Sequence, residues 1–393
     1  MSDFRTLNQT LLAKVQAATD TEETPTVGSD AIKVEGIQYS PNFDILDTDA
    51  EHTGSLDVGN PIVGGGSVGK SFATKLKGSG TGGTAPESAA LYRGCGMAET
   101  TLASDLTGTA QAGATSTITL AASGPSTTDD AYKGMVIELD GGTGTGQSAV
   151  ITAYNGTTKV ATVAKAWTTT PDVTTTYTIP ACVLYRPAST ALEVLTLWSY
   201  QHGTAAATDS RLRRVRSAAG NMSLEIATRG IAQANFTFTG VLPSVPTDVT
   251  HPGAATFDTV SPVAFIATES LLGGSAVKFN RFTIDLGNEI AQADDPAAQY
   301  GYDSAGIIRR KTTGTISPNM TALTTRDNVS DFFNQTPKDI IMRWGSTVGN
   351  RVSLLMPQVR YTGGSPSDNS GFAAEEIPFQ GQGADAGLWM CFH

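Results

Sequence analysis

Apolar and polar positions alternate in two distant stretches of this chain, and the alternation slips at the same step in both. Ala31 to Tyr39 reads Ala-Ile-Lys-Val-Glu-Gly-Ile-Gln-Tyr, and Ala276 to Ile284 reads Ala-Val-Lys-Phe-Asn-Arg-Phe-Thr-Ile. Ile32, Val34, Ile37 and Tyr39 fall opposite Val277, Phe279, Phe282 and Ile284, with Lys33 opposite Lys278. Period-two alternation predicts a strand with one buried face, and a shared one-residue slip predicts a shared β-bulge.

The likeness extends to the order of elements. Each strand leads into a long polar or glycine-rich stretch, Asp47 to Gly66 and Ala291 to Ser304, expected to be loops. A basic strand follows in each: Val68 to Lys77 with Lys70, Lys75 and Lys77, and Ile307 to Ile316 with Arg309, Arg310 and Lys311. A short helix comes next. The first is expected over Pro86 to Arg93, capped by Thr84 and followed by Gly94. The second is expected over Asn328 to Gln335, capped by Asp327 and stopped by Pro337. Strand, long stretch, strand, helix, strands thus occurs twice, as a duplicated β-unit would give. Near the N-terminus, Phe4, Leu7, Leu11 and Val15 have a spacing that fits one face of a short helix.

Between the first helix and its later strands the pattern changes. Thr107 to Ile179 is rich in Thr, Ala and Gly. It carries short alternating segments at Ser116 to Leu120, Met135 to Leu139, Ala149 to Tyr154, Lys159 to Val163 and Thr175 to Ile179. Asn155-Gly156 predicts a tight hairpin with positive φ at both residues. The stretch reads as a small inserted β-module with Trp167 in its core, projecting from the outer surface and replaceable by a linker. The expected organisation is a discontinuous first domain (1–106 and 180–245), the module (107–179) and a second domain (246–393). The expected fold class is mainly β: two tandem β-sandwich or barrel domains, each with a short helix, plus the inserted β-domain.

Composition narrows the function. Glycine is abundant (42 residues), charged residues make up only 16%, and the formal net charge is −11. An acidic chain is ill suited to tight phosphate binding, which needs a cationic surface. No run of about 18 apolar residues predicts a membrane span. Cys95, Cys182 and Cys391 are widely spaced and do not read as a disulfide framework, which suits synthesis in a reducing cytoplasm.

Two catalytic patterns overlap in one glycine-rich run. Gly64 to Ser71 fits G-x-x-x-x-G-K-S, and Gly65 to Gly69 fits G-x-S-x-G. Both need a strand before the run and a helix after it. Phe72, Thr74 and Leu76 alternate with Ala73, Lys75 and Lys77, which predicts a strand instead. His52, His202, His251 and His393 stand in no partner context, and the adjacent acids Asp294-Asp295 and Glu375-Glu376 would point to opposite faces of a strand. No catalytic, cofactor or metal residues are therefore expected, and the chain does not read as an enzyme. The one concentrated positive run is Arg211, Arg213, Arg214 and Arg216, expected at an interface between subunits or paired with the chain's own acids.

Several pieces resemble bacteriophage major tail tube proteins. They are Leu11 to Thr21 with Glu23 to Thr26, and Gly78 to Pro86 leading into Leu91 to Met97. Phe236 to Gly240 and Ile284 to Glu289 belong to the same set. Gly142 to Gln147, Tyr154 to Thr158 and Ala166 to Thr168 resemble a small β-module of phage structural proteins. The resemblance implies a virion protein, made in the bacterial cytoplasm, that stacks as rings into a tail tube. Such a tube would enclose the tape measure protein, meet tail terminator and distal tail proteins, and pass double-stranded DNA without specific binding. With two units per chain, three chains per ring with pseudo-sixfold symmetry are expected, with six chains as the alternative. The resemblance leaves contractile and non-contractile tails open, and a head decoration protein is the other virion reading. It implies inter-ring loops bearing Asp47, Asp49, Glu51, Asp57, Asp294 and Asp295. It also implies channel-lining hairpin strands bearing Ile32, Lys33, Val34, Lys75, Lys77, Val277, Lys278, Phe279, Arg309 and Arg310.

Overall fold

The computed structural model describes residues 4–47, 60–203, 209–266 and 268–393. Strands take up 53% of the structure and helices 3%, so the chain is mainly β. The sheets pack as sandwich layers and none closes into a barrel.

The first unit opens with β1 (Phe4–Val15), β2 (Ala31–Ile32), β3 (Glu35–Leu46) and β4 (Ile62–Lys75). Then come α1 (Ala89–Gly94) and β5 (Met97–Leu102). β1 corrects the helical reading of Phe4, Leu7, Leu11 and Val15. Leu11, Leu12 and Ala13 are buried in succession. Leu11 enters the main core, and Leu12 a separate cluster with Tyr200 and Leu212. A strand covered on both faces buries consecutive residues this way. α1 also starts later than expected, after Ser88 rather than Thr84, with no side-chain cap bond.

The next elements are β6 (Leu106–Thr109), β7 (Ala112–Ala114), β8 (Thr117–Thr119), β9 (Val136–Gly141), β10 (Ser148–Asn155), β11 (Val160–Val163) and β12 (Thr176–Ile179). They form their own seven-stranded sheet, with Trp167 in the core beneath it. β10 and β11 form the expected hairpin, but by a different turn. Asn155 pairs with Val160, and the positive φ falls on Lys159. The Asn155 Oδ1 accepts the N–H groups of Thr157 and Thr158, so an Asx turn replaces the tight one.

The chain returns through β13 (Cys182–Pro187), β14 (Leu195–Gly203), β15 (Ser210–Ala227), β16 (Gln233–Val241) and β17 (Thr247–Val249). The second unit comprises β18 (Glu269–Leu272), β19 (Ser275–Ala276), β20 (Phe279–Asp285), β21 (Asn288–Asp294), β22 (Tyr302–Arg310) and β23 (Thr313–Pro318). It continues with α2 (Asn328–Phe333), β24 (Lys338–Trp344), β25 (Val352–Tyr361), β26 (Ser365–Asn369), β27 (Phe372–Gly381) and β28 (Trp389–Phe392). The expected loop Ala291 to Ser304 is instead largely the β21–β22 hairpin. The expected single strand Ile307 to Ile316 is broken at Lys311-Thr312. The Asp327 side chain caps α2 as expected, accepting the N–H of Ser330.

Strand pairing repeats between the units. In the first, β3 pairs β4, β4 pairs β16 and β16 pairs β15. In the second, β20 pairs β23, β23 pairs β27 and β27 pairs β25. The opposing layers match too: β2–β1–β14–β15 against β19–β18–β24–β25. Register shifts occur between Glu35 and Gln38 and between Phe279 and Phe282, where the sequence alternation slips in both copies. One aromatic-rich core runs through both units, from Phe72, Phe236 and Phe238 to Phe282 and Phe379.

Comparison of the two units also measures the excursion. Where the second unit passes from α2 to β24 through Asn334 to Pro337, the first interposes β5, the module and β13. β13 pairs with β5 on one side and β28 on the other, and β28 pairs β25. The excursion's base thus extends the second unit's outer layer. The module then packs on that layer, sharing a core with Leu271, Ile341, Leu355 and Trp389. Ion pairs Lys165–Glu269 (2.9 Å) and Arg351–Glu138 (3.0 Å) fasten it. Replacing the module with a linker would therefore uncover that shared core.

Candidate functional site

The repeated pairings generate one continuous antiparallel sheet, in the order β3–β4–β16–β15–β20–β23–β27–β26. β15 makes this possible. Its first half pairs with β14 and β17, and its second half pairs with β16 and with β20 of the second unit. Ser217, with φ of 50°, lies at the register shift between Arg216 and Ala219, where the strand passes from one layer to the other.

The joint between the units combines backbone pairing with side-chain bonds, among them Asn221 Nδ2 donating to Asp285 Oδ1 at 2.7 Å. Ser223 to Ala227 of β15 run opposite Asp285 to Arg281 of β20, with an Arg281–Glu225 ion pair at 2.8 Å. Beyond the strand, the N–H of Leu286 donates to the Met222 carbonyl. The Asn288 side chain donates to the carbonyls of Cys95 (2.8 Å) and Gly220 (2.9 Å), and its backbone N–H donates to Asn221 Oδ1. Arg310 donates to Asn288 Oδ1 and to the Gly96 carbonyl, both at 2.9 Å. Burial lowers the pKa of that guanidinium from its ordinary value, with the nearby Asp385 opposing. The base of the β21–β22 hairpin therefore sits over the C-terminal end of α1. Asn288 lies in the Ile284 to Glu289 stretch that carries the resemblance, but its bonding role was not legible there, because its carbonyl partners Cys95 and Gly220 are remote in sequence.

Among the described residues, both ends of the continuous sheet are open. Among the described strands, β3 pairs only with β4 and β26 only with β27. Beside β26 lies an apolar cleft of about 500 Å³ formed by Met320, Val329, Phe332, Phe333, Pro366 and Ile377. Val329 and Phe333 are exposed. Beside β3, the arms of the β3–β4 hairpin expose Phe43, Ile45, Leu46, Ile62 and Val63. Each open edge thus carries its own apolar patch.

The expected site residues scatter over this frame. Asp49, Glu51 and Asp57 lie outside the described residues, and Asp47 stands at the end of β3. Asp294 pairs with Tyr302 at the end of the β21–β22 hairpin, and Asp295 closes its turn by accepting the N–H of Ala297. That hairpin leans on the first: Gly66 donates its N–H to the Tyr300 carbonyl, and the Tyr302 hydroxyl donates to Asp44 Oδ2. Ile32, Val277 and Phe279 are buried core residues, and Val34 packs against the core. Lys77 is buried between Glu87 (3.3 Å) and Asp258 (3.4 Å), and Lys33 donates to the Asp258 carbonyl. Lys75 pairs with Glu35, while Lys278 and Arg309 are exposed.

The basic run on β15 finds partners inside the chain. Arg211 pairs with Asp248 at 2.8 Å and Arg214 with Glu22 at 3.4 Å. Arg213 bonds Gln201 and lies over the Tyr39 ring, and Arg216 donates to the Asp20 carbonyl. The glycine-rich run Gly64 to Ser71 lies wholly inside β4. Lys70 points into the core, where its ammonium donates to the carbonyls of Leu197 and Arg213, both at 3.1 Å. Burial, and secondarily the Arg213 charge, hold its pKa well below the ordinary lysine value. A phosphate-cradling loop needs exposed backbone N–H groups before a helix, and this run is a paired strand. Cys95, Cys182 and Cys391 are free and buried, and burial raises the Cys95 thiol's pKa. Among the described residues no His, Cys, Asp and Glu group could hold a metal ion, and no helix is long and apolar enough to cross a membrane. No protein-family model matches this chain, and no curated protein matches it either.

Proposed function

We propose that this chain is a structural subunit that polymerises as stacked rings, and that the polymer is a bacteriophage tail tube. The observation that carries the reading is the continuous sheet spanning both units with an open strand at each end. An open strand exposes unpaired backbone groups and is a liability in a monomer. A ring of head-to-tail copies removes both edges at once, because each end meets the opposite end of a neighbour. The duplicated pairing supports two tube positions per chain, hence three chains per pseudo-sixfold ring. The two hairpins that reach beyond the sheet, β3–β4 and β21–β22, suit contact with the next ring.

The acidic balance fits a conduit for DNA, since a like-charged wall does not retain phosphate. On this reading the partners are further copies, a tape measure protein inside, terminator and distal tail proteins at the ends, and DNA in transit. The arginines of β15 stay within the subunit, paired as described above. Electron microscopy of the purified, concentrated protein tests the proposal. Rings or tubes with threefold symmetry and a sixfold-like inner wall are expected. A protein that stays dispersed and monomeric at every concentration would refute it.

A further inference from the structure

We infer that the joint between the two units inside one chain is the template for the joint between chains, residue by residue. This rests on the ring reading above and adds to it a partner surface, a register and a filler for the apolar cleft.

The correspondence follows from strand pairing alone. Gly220 opposite Phe238 matches Tyr361 opposite Phe379, and Ala219 opposite Thr239 matches Arg360 opposite Gln380. Continuing outward, Ser223 opposite Asn235 matches Ser365 opposite Glu376, with one extra residue inserted near Gly363-Gly364. β26 therefore stands where the last residues of β15 stand. On the other side, β3 stands where β20 stands, through the shared alternation and bulge. Inside the chain, those parts of β15 and β20 are hydrogen-bonded to each other. Their counterparts, β26 and β3, are the two open edges.

Carrying the internal register across gives the contact between copies. Glu225 opposite Thr283 becomes Ser367 opposite Gln38 of the next copy. Leu224 opposite Ile284, both in the core, becomes Pro366 opposite Tyr39, where proline has no N–H to donate and the pair keeps only the bond that Pro366 accepts. Beyond the strands, Asn288 opposite Arg310 matches Phe43 opposite Gly66, and both hairpins shift register at the following step. Asn288 covers the end of α1. Phe43 of the next copy would then cover the end of α2, where the cleft lies. The chemistry changes in step at this position. Asn288 meets backbone carbonyls, whereas Phe43 would meet Val329, Phe333 and Pro366. The occupant of the cleft is thus a second copy of this chain, which supplies an exposed aromatic where the cleft offers apolar walls.

Cysteine pairing tests the register in the full-length protein. In the double variant Gln38→Cys, Ser367→Cys, mild oxidation of the assembled protein should link chains into multimers ending at a closed ring. Each single variant should give none, because the native thiols are buried. The pair Ser40→Cys, Asn369→Cys should stay unlinked, as four residues of offset separate the sulfurs by about 13 Å. In parallel, Phe43→Asp would bring a charge into the cleft and should raise the concentration needed for assembly about tenfold or more, beyond the small loss of monomer stability from its own ring contact with Tyr300. Intact rings without the 38–367 link, equal linking of the offset pair, or normal assembly of Phe43→Asp would overturn the inference and leave the ring reading standing. Absence of any ring or tube from the parent protein would overturn both.

Discussion

Asn288→Ala is the sharpest probe of how the two units are held together. The side-chain amide gives two hydrogen bonds to carbonyls of the first unit and accepts one from Arg310. Two neutral bonds contribute about 1 kcal/mol each, and a bond to a charged donor about 1.5–3 kcal/mol. The residue is half-buried, so water replaces part of what is lost. A destabilisation of about 2–4 kcal/mol is expected, read as a fall in the denaturant midpoint. The shared core and the β15–β20 pairing still join the units, so the transition should stay single. Asn288→Asp keeps an acceptor for Arg310 but sets an anion against two carbonyl oxygens, and should be at least as damaging. A loss below about 1 kcal/mol would refute the idea that this amide ties the units together.

Three further outcomes are expected. Gly142→Ala should destabilise the module, since its φ of 71° disfavours a side chain and a Cβ would lie 2.0 Å from the Thr174 carbonyl oxygen; a melting point matching wild type would refute this. Replacing 107–179 with a Gly/Ser linker should leave Leu271, Ile341, Leu355 and Trp389 uncovered, each at about 1.5–3 kcal/mol. The total rivals a domain's whole net stability, so poor folding is expected, and an equally stable, soluble product would count against the docked module. Burial, helped by Arg343 and Arg351, pushes the His393 pKa down to about 3, well below its unfolded value of about 6.5. The unfolded state therefore binds the proton first, so this contribution is complete above about pH 6.5 and is lost as pH falls toward 3, at up to about 1.4 kcal/mol per pH unit. His393→Gln should flatten that slope in urea titrations, and an unchanged slope would show that other groups set it.

Alternation with a matched slip, at Ile32 to Tyr39 and Val277 to Ile284, was enough to read the strands, the bulge and the duplication, because side-chain direction in a strand is a local property of period two. The capped helix at Asp327 was legible for the same reason, because a cap depends on neighbours in sequence, and Trp167 was legible as core from its large apolar side chain. Other readings failed where the deciding partner is remote. β1 looked helical because its second buried face exists only where remote segments, with Val27, Ala255 and Phe257, pack over the Leu12 cluster. The polar stretch Ala291 to Ser304 looked like a loop because its two arms find each other only as a hairpin. For the arginines of β15 the sequence left a neighbour's acids and the chain's own both open, and only folding brought Glu22 and Asp248 against them. The open edges, the cleft beside α2 and the place of Asn288 belong wholly to the tertiary structure. Hydrogen-bond pairing between strands far apart in the chain decides which edges stay unpaired, and no local pattern encodes a missing partner.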